Sequence, residues 1–339
     1  MTEGYPADVF DENGRITFAY RRVRALRSIS RPGRGVDLTQ LDHEPSTDRR
    51  ESLMYLMRIG EPGAEKPVAR IDDDSYVDLG DVVSDFDEGF FASQDLARVR
   101  SIVEERSSAG RVAHFRGERV GAPIARPHQI VCIGLNYSDH AAETGQAVPD
   151  EPILFTKSPN TIIGPYDDVR IPRGATKVDW EVELGVVIGK RASYLESPQN
   201  AREFIAGWTL VNDVSERAWQ MERNGQWMKG KSAETFSPTG PWLVTQDQIS
   251  DVNDLSMSLD VNGVRRQTGN TGTMIFDPYF LVHYISQFLV LEPGDLISTG
   301  TPPGVGMGFK PPVYLREGDV IELELDGLGR QRQNVVAPR

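Results

Sequence analysis

The sequence predicts a mixed α+β fold, rich in strands, with a small N-terminal α/β unit ahead of a larger domain. Three observations support this. Short apolar or alternating runs recur along the 339 residues, and such runs bounded by turn residues read as strands. The strands are not separated by regular long helices, so a doubly wound parallel sheet is disfavoured. No internal repeat is visible, and Gly-x-Ser-x-Gly is absent, which argues against an α/β-hydrolase.

Composition narrows the class. The formal net charge of −13 argues against a general binder of nucleic acid or anionic membrane. There is one cysteine, Cys132, so no intrachain disulfide forms. Its neighbours Ile130, Val131 and Ile133 mark it as a small core residue. No apolar stretch approaches the roughly 20 residues of a membrane span, and no secretory pattern opens the chain. A soluble cytoplasmic protein is the expectation.

Residues 1–52 form a basic extension. Arg15 to Arg34 holds seven arginines and no acidic residue. A flexible arm, an organellar transit segment and translated sequence upstream of a start near Met54 remain open readings. Asp8, Asp11 and Glu12 weaken the transit reading.

Residues 53–120 make the small unit. Leu53 to Ile59, Pro67 to Ile71 and Asp74 to Leu79 read as strands, the last as a hairpin return. Gln94 to Glu105 reads as a helix, with Leu96, Val99, Ile102 and Val103 on one side and Gly110 as a stop.

The catalytic candidates fall in residues 121–339. Gln129 to Gly134 is a strand. Ser197 to Ile205 is a short helix with Pro198 in its first turn, and Pro278 to Phe288 is another helix. Asp295 to Ser298 and Val320 to Leu325 are strands, the latter closed by an Asp326-Gly327 turn.

Lys177 to Gly189 reads as a strand carrying Glu181 and Glu183. Residues two apart on a strand share a face, so these carboxylates repel unless a cation lies between them. Trp180, Val182, Leu184, Val186 and Ile188 form the opposite, apolar face. Asp213 ends the second strand-like run, Gly207 to Asp213. Three carboxylates from two strand ends suit a hard divalent ion. A solvated face of an antiparallel sheet explains the same alternation, and both readings stand on spacing alone.

His140 and Glu143, three apart on a short predicted helix, face one side. A carboxylate beside an imidazole orients a general base; a surface pair is the plainer alternative. Lys231 lies in a segment flanked by glycine, tryptophan and phenylalanine, which reads as a partly buried loop where a lysine could hold an oxyanion, with Lys229 competing. Ser298 to Gly308 is glycine-rich but lacks the Gly-Lys-Ser/Thr of a phosphate loop. It reads as a tight loop beside a pocket, with Thr301 free to contact a ligand. His43, His114, His128 and His283 have no evident partner in sequence.

Taken in order, Gly134-Leu135-Asn136-Tyr137 with His140 and Glu143, Pro152 to Lys157, Asp179 to Leu184, Asn212 to Arg217, Lys231 to Phe236 with Gly240-Pro241-Trp242, and Thr299 to Gly306 resemble the fumarylacetoacetate hydrolase family over about residues 54–335. The resemblance implies a β-sandwich or roll catalytic fold found as homodimers. It implies Mg²⁺, with Mn²⁺ or Ca²⁺ possible, held by Glu181, Glu183 and Asp213. His140 and Glu143 are implied as the water-activating dyad and Lys231 as the cation near the reacting oxygen. Tyr137, Gln226 and Thr301 fall where the family contacts substrate. The animal enzyme has one more acidic ligand just before the tyrosine. This chain has Leu135-Asn136 there and resembles the bacterial three-carboxylate branch, so fumarylacetoacetate itself is a poor substrate guess.

The implied reaction is C–C hydrolysis of a 2,4-diketo acid of acylpyruvate type, such as a diketo-deoxy sugar acid, to pyruvate and a second acid. Oxaloacetate decarboxylation, 2-hydroxyhepta-2,4-diene-1,7-dioate isomerisation, and a non-catalytic metal- or ligand-binding protein are the alternatives.

Overall fold

The computed structural model describes residues 54–139 and 148–339. The basic 1–52 extension and the His140–Glu143 pair lie outside the described residues. Among those described, ten strands form one sheet. From one edge the order is Ala113–His114, Ser75–Asp78, Lys66–Arg70, Tyr55–Ile59, Leu243–Thr245, Ile205–Asn212, Val182–Ile188, Leu296–Ser298, Ile130–Gly134 and Ile153–Lys157. Neighbours run antiparallel except Leu296–Ser298 beside Ile130–Gly134. The sheet crosses the boundary expected near residue 120, because Tyr55–Ile59 pairs with Leu243–Thr245.

A second sheet of five strands runs Val264–Asn270, Ser256–Val261, Val320–Leu325, Gly329–Val336 and Val169–Arg170. It packs on one face of the large sheet. That interior holds Trp180, Val182, Leu184, Val186 and Ile188 together with Leu259, Leu323 and Val335. Helix Pro278–Ser286 adds Leu281, Val282 and Ile285. Val187, one residue out of phase, joins a different core on the opposite face. There it meets Phe86, Phe90, Phe91, Val99 and Val103, contributed in and around helices Glu88–Ser93 and Leu96–Ser108. The period-two alternation read from the sequence therefore separates two interiors, because both faces of this strand are covered. Each large apolar side chain buried this way stabilises by about 1.5–3 kcal/mol.

The β-branched residues of Val182–Ile188 suit a strand. Gly185 has a packing reason: a Cβ there would meet Val211 Cγ2 at 2.8 Å and Thr209 Cγ2 at 2.9 Å. Helix Pro278–Ser286 starts at the Asp277 cap, whose carboxylate accepts from the amides of Tyr279 and Phe280. It stops two residues short of the expected Phe288. The expected Ser197–Ile205 helix is one α turn, Pro198–Ala201, followed by a 3₁₀ turn to Phe204. Ile205 already begins a strand, since burial in the large sheet overrides the local helical pattern.

Candidate metal centre and active-site cleft

The strand expected across Lys177–Gly189 is interrupted. Val178–Asp179 pairs with Ser215–Glu216, and Val182 begins the pairing with Asn212. Between them the Glu181 amide donates to the Asn212 side-chain oxygen at 3.2 Å, and the Asp213 amide donates to the Glu181 carbonyl at 2.9 Å. These bonds lay Asp213 beside Glu181. Glu183 meets the group from the next turn of the pleat. One carboxylate oxygen from each of Glu181, Glu183 and Asp213 lies within 4.8 Å of the others. All three residues are buried, so the solvated-face reading fails.

Three buried cations surround them. Lys231 Nζ donates to Glu181 Oε2 at 2.6 Å and to Asp213 Oδ2 at 2.7 Å. Arg217 donates through Nη2 to Glu181 Oε1 at 2.7 Å and through Nε to Asp179 Oδ2 at 2.8 Å. Lys157 donates to the other oxygen of Asp213 and to the carbonyls of Val214 and Phe236. Asp179 also accepts from the amides of Gly306 and Met307, which ties the glycine-rich loop to the site.

Glu183 differs. Its Oε2 accepts from Ser298 Oγ at 2.6 Å and from the Gly300 amide at 2.9 Å. Gly300 holds a left-handed φ of 99°, and a Cβ there would lie 2.8 Å from Asn136 Cβ, so glycine is required. Among the described residues no lysine, arginine or histidine pairs with Glu183.

The electrostatics follow. Burial alone would raise the Glu181 carboxyl, but Arg217 and Lys231 overcome it and hold the group well below the usual carboxylate range. Burial would lower Lys231, but Asp213 and Glu181 push it up, so the ammonium stays charged. Arg217 is likewise raised, by Glu181 and Asp179 against burial. Burial, then Asp213 and Glu181, push Glu183 well above its ordinary value. A divalent ion between the three carboxylates would reverse that penalty. The donor set fits one: oxygen-only ligands, one of them a buried carboxylate with no ion-pair partner among the described residues, suit a hard ion.

The cluster opens into a cleft lined by Glu181, Glu183, Arg217, Gln220, Lys231 and Thr301 on its polar part. A profile of the fumarylacetoacetate hydrolase C-terminal domain matches residues 129–336. The chain belongs to the fumarylacetoacetate hydrolase family. It is 47% identical over 288 residues to a Burkholderia multivorans protein described only as a candidate hydrolase, covering 84% of this chain and all of that one. Three solved structures each match 84% of this chain. The fumarylacetoacetate hydrolase of Exiguobacterium antarcticum is 32% identical, with TM-score 0.72 over 99% of its length. A 2-hydroxyhepta-2,4-diene-1,7-dioate isomerase of Mycobacterium marinum is 31% identical, with TM-score 0.65 over 98%. The maleylpyruvate hydrolase of Sphingobium sp. SYK-6, in complex with manganese(II) and pyruvate, is 26% identical, with TM-score 0.70 over its whole length.

This family member is therefore an enzyme, with the strand-rich fold of its relatives and an acidic triad suited to a divalent metal. Lys231 closes the one-turn helix Met228–Lys231 and is buried, where a loop was expected. Lys229 is exposed and donates to the Arg223 carbonyl. Thr301 lines the cleft, but its hydroxyl is not free as expected: it donates to the Val182 carbonyl and accepts from Gln267. Tyr137 is fully buried with its hydroxyl on Met257 Sδ at 3.6 Å, and it is not among the lining residues. Gln226 is exposed and also outside that lining. His128, expected to lack a partner, accompanies Glu88 at 2.7 Å. Arg217, Lys157, Asp179 and Gln220 were missed as site residues. Arg217 and Gln220, three apart on the short helix Arg217–Met221, share a side, which was a usable signal; the Lys157–Asp213 contact joins positions 56 apart in the chain.

Proposed function

We propose that this protein is a divalent-metal-dependent hydrolase that cleaves the C3–C4 bond of a 2,4-diketo acid, giving pyruvate and a second carboxylic acid. The observation that carries the reading is Glu183: a buried carboxylate that no lysine, arginine or histidine pairs with among the described residues, completing a triad whose other members are already held in place by Lys231, Arg217 and Lys157. Mg²⁺ is the proposed ion, with Mn²⁺ or Ca²⁺ as substitutes, in a cytoplasmic homodimer.

Glu181, Glu183 and Asp213 would hold the ion, which when bound supplies Lewis-acid stabilisation of the negative charge that develops on the 2-oxygen. Arg217 fixes the Glu181 carboxylate through one nitrogen and reaches Gln220 Oε1 at 3.0 Å through another. Gln220 is one of the cleft's lining residues, with its amide oxygen held by Arg217. Lys231 remains protonated and acts as a cation beside the forming oxyanion rather than as a base. His140, oriented by Glu143, takes the proton from water as its oxygen adds to C4. Cleavage sends the C3–C4 electron pair to the pyruvate fragment, and a proton returned to C3 completes pyruvate. Tyr137, Gln226 and Thr301 are proposed to shape the substrate's surroundings, Tyr137 and Thr301 through the scaffold they brace.

The test is turnover of a diketo-acid panel that includes acetylpyruvate and oxaloacetate, with products identified by mass spectrometry. Pyruvate plus acetate from acetylpyruvate supports hydrolysis. Carbon dioxide from oxaloacetate, with acetylpyruvate untouched, replaces it with decarboxylation. The isomerase among the solved relatives favours a second reading, tautomerisation on the same site. His140→Ala separates them, because proton shifts need no attacking water.

A further inference from the structure

The polar residues of the described lining already have protein partners. Arg217 joins Glu181 to Gln220, Lys231 joins Glu181 to Asp213, and Thr301 is bonded on both sides. The rest of the described lining is apolar: Ile133, Leu135, Phe155, Met221, Trp227 and Met307. These side chains form a built surface. Trp227 and Phe155 meet edge to face with ring centroids 5.2 Å apart. Trp227 lies over Gly134 so closely that a Cβ there would stand 2.7 Å from its ring. Phe155 in turn carries the Lys231 ammonium 5.0 Å from its centroid, which places the apolar wall directly beside the charged cluster. Leu135 holds a left-handed φ of 54° at the same wall, a conformation costly for leucine. Met221 is 46% exposed.

We infer that this wall selects the substrate's tail: the site takes 2-oxo acids whose chain beyond the oxo group is apolar and uncharged, and Trp227 is the specificity-determining residue. A polyhydroxylated sugar-acid tail laid on Trp227, Phe155 and Met221 would lose more hydrogen bonds to water than the single Trp227 indole N–H could replace, which is unfavourable. Among the described lining residues the lysine and arginine are Lys231 and Arg217, both already paired with carboxylates, so a second carboxylate in the tail would meet no unpaired lysine or arginine there. An alkyl or alkenyl tail gains on each buried carbon. The inference rests on the proposed diketo-acid reading for the head group, and it turns the tail away from the sugar acids that the family resemblance implied.

The experiment uses the full-length protein loaded with Mn²⁺ and measures binding by calorimetry, independently of turnover. The probes are 2-oxooctanoate, a 3-deoxy-2-oxo sugar acid and 2-oxoglutarate. The expected result is 2-oxooctanoate binding at least about tenfold tighter than either polar probe. Trp227→Gln reduces that preference to within about threefold, and Trp227→Phe retains it. Equal or tighter binding of the sugar acid or of 2-oxoglutarate overturns the inference, as does an unchanged preference in Trp227→Gln. Rates with the matching 2,4-diketo acids are measured alongside. Absent turnover with the alkyl preference intact overturns the hydrolase reading and leaves the tail selection standing. Turnover with the preference reversed does the opposite.

Discussion

The ammonium of Lys231 lies 2.6 Å from Glu181 Oε2, with both residues buried at the floor of the cleft. Lys231 holds the Glu181 carboxyl low and Glu181 helps push the lysine up, so the pair acts as one electrostatic unit. Lys231→Met should leave Glu181 and Asp213 short of a counter-charge. Breaking a buried pair from one side costs about 3–5 kcal/mol. Denaturant unfolding should show that loss in the metal-free protein. Added Mn²⁺ should return part of it, since the ion replaces the missing positive charge. A variant as stable as the parent without metal would remove Lys231 from this role.

Divalent ions should raise the melting temperature of the parent, because an ion that binds only the folded state stabilises by mass action, about 2.7 kcal/mol at a hundredfold excess over Kd. Glu183→Gln should abolish most of the Mg²⁺- or Mn²⁺-induced shift while leaving the ion-paired Glu181–Lys231 contact in place. Thermal denaturation with and without a chelator reads both. An equal shift in parent and variant would place the ion elsewhere.

Much of this centre was legible in the sequence. Glu181, Glu183 and Asp213 were readable because strand geometry puts alternate residues on one face and because Asp213 closes the neighbouring strand. What spacing could not supply was burial. The alternation looked half-wet, yet a second sheet and two helices cover both faces of Val182–Ile188. Lys157 was invisible as a site residue because its partner lies on a different strand-end, 56 positions away. Thr301 looked free because Gln267, which occupies its hydroxyl, comes from the distant strand Val264–Asn270.

The glycine-rich loop should tolerate little. Gly304 has a left-handed φ of 102°, and a Cβ there would stand 2.0 Å from the Arg266 carbonyl oxygen. Its own carbonyl accepts from Trp180 Nε1 at 3.1 Å. Gly304→Ala combines backbone strain with a backbone clash and should cost at least about 2–3 kcal/mol. Chemical denaturation checks this, and a loss below about 0.5 kcal/mol would contradict the loop geometry.

His283 is buried in helix Pro278–Ser286, with Nδ1 lacking a hydrogen-bond partner among the described residues. Burial lowers its pKa below the ordinary 6.5. The folded state therefore favours the neutral ring. Its contribution is complete above the unfolded pKa and is lost as pH falls from about 6.5 through the folded value. The parent should lose more stability than His283→Gln between pH 8 and pH 5. Parallel melting curves for the two proteins would contradict this.

The most direct measurement is pyruvate release from acetylpyruvate by the full-length protein, first in chelator and then after Mg²⁺ or Mn²⁺ is restored. The account predicts no turnover in chelator, recovery with either ion, equimolar pyruvate and acetate, and no recovery in Glu183→Gln. Undiminished pyruvate release in chelator, or full metal-restored activity in Glu183→Gln, would contradict it.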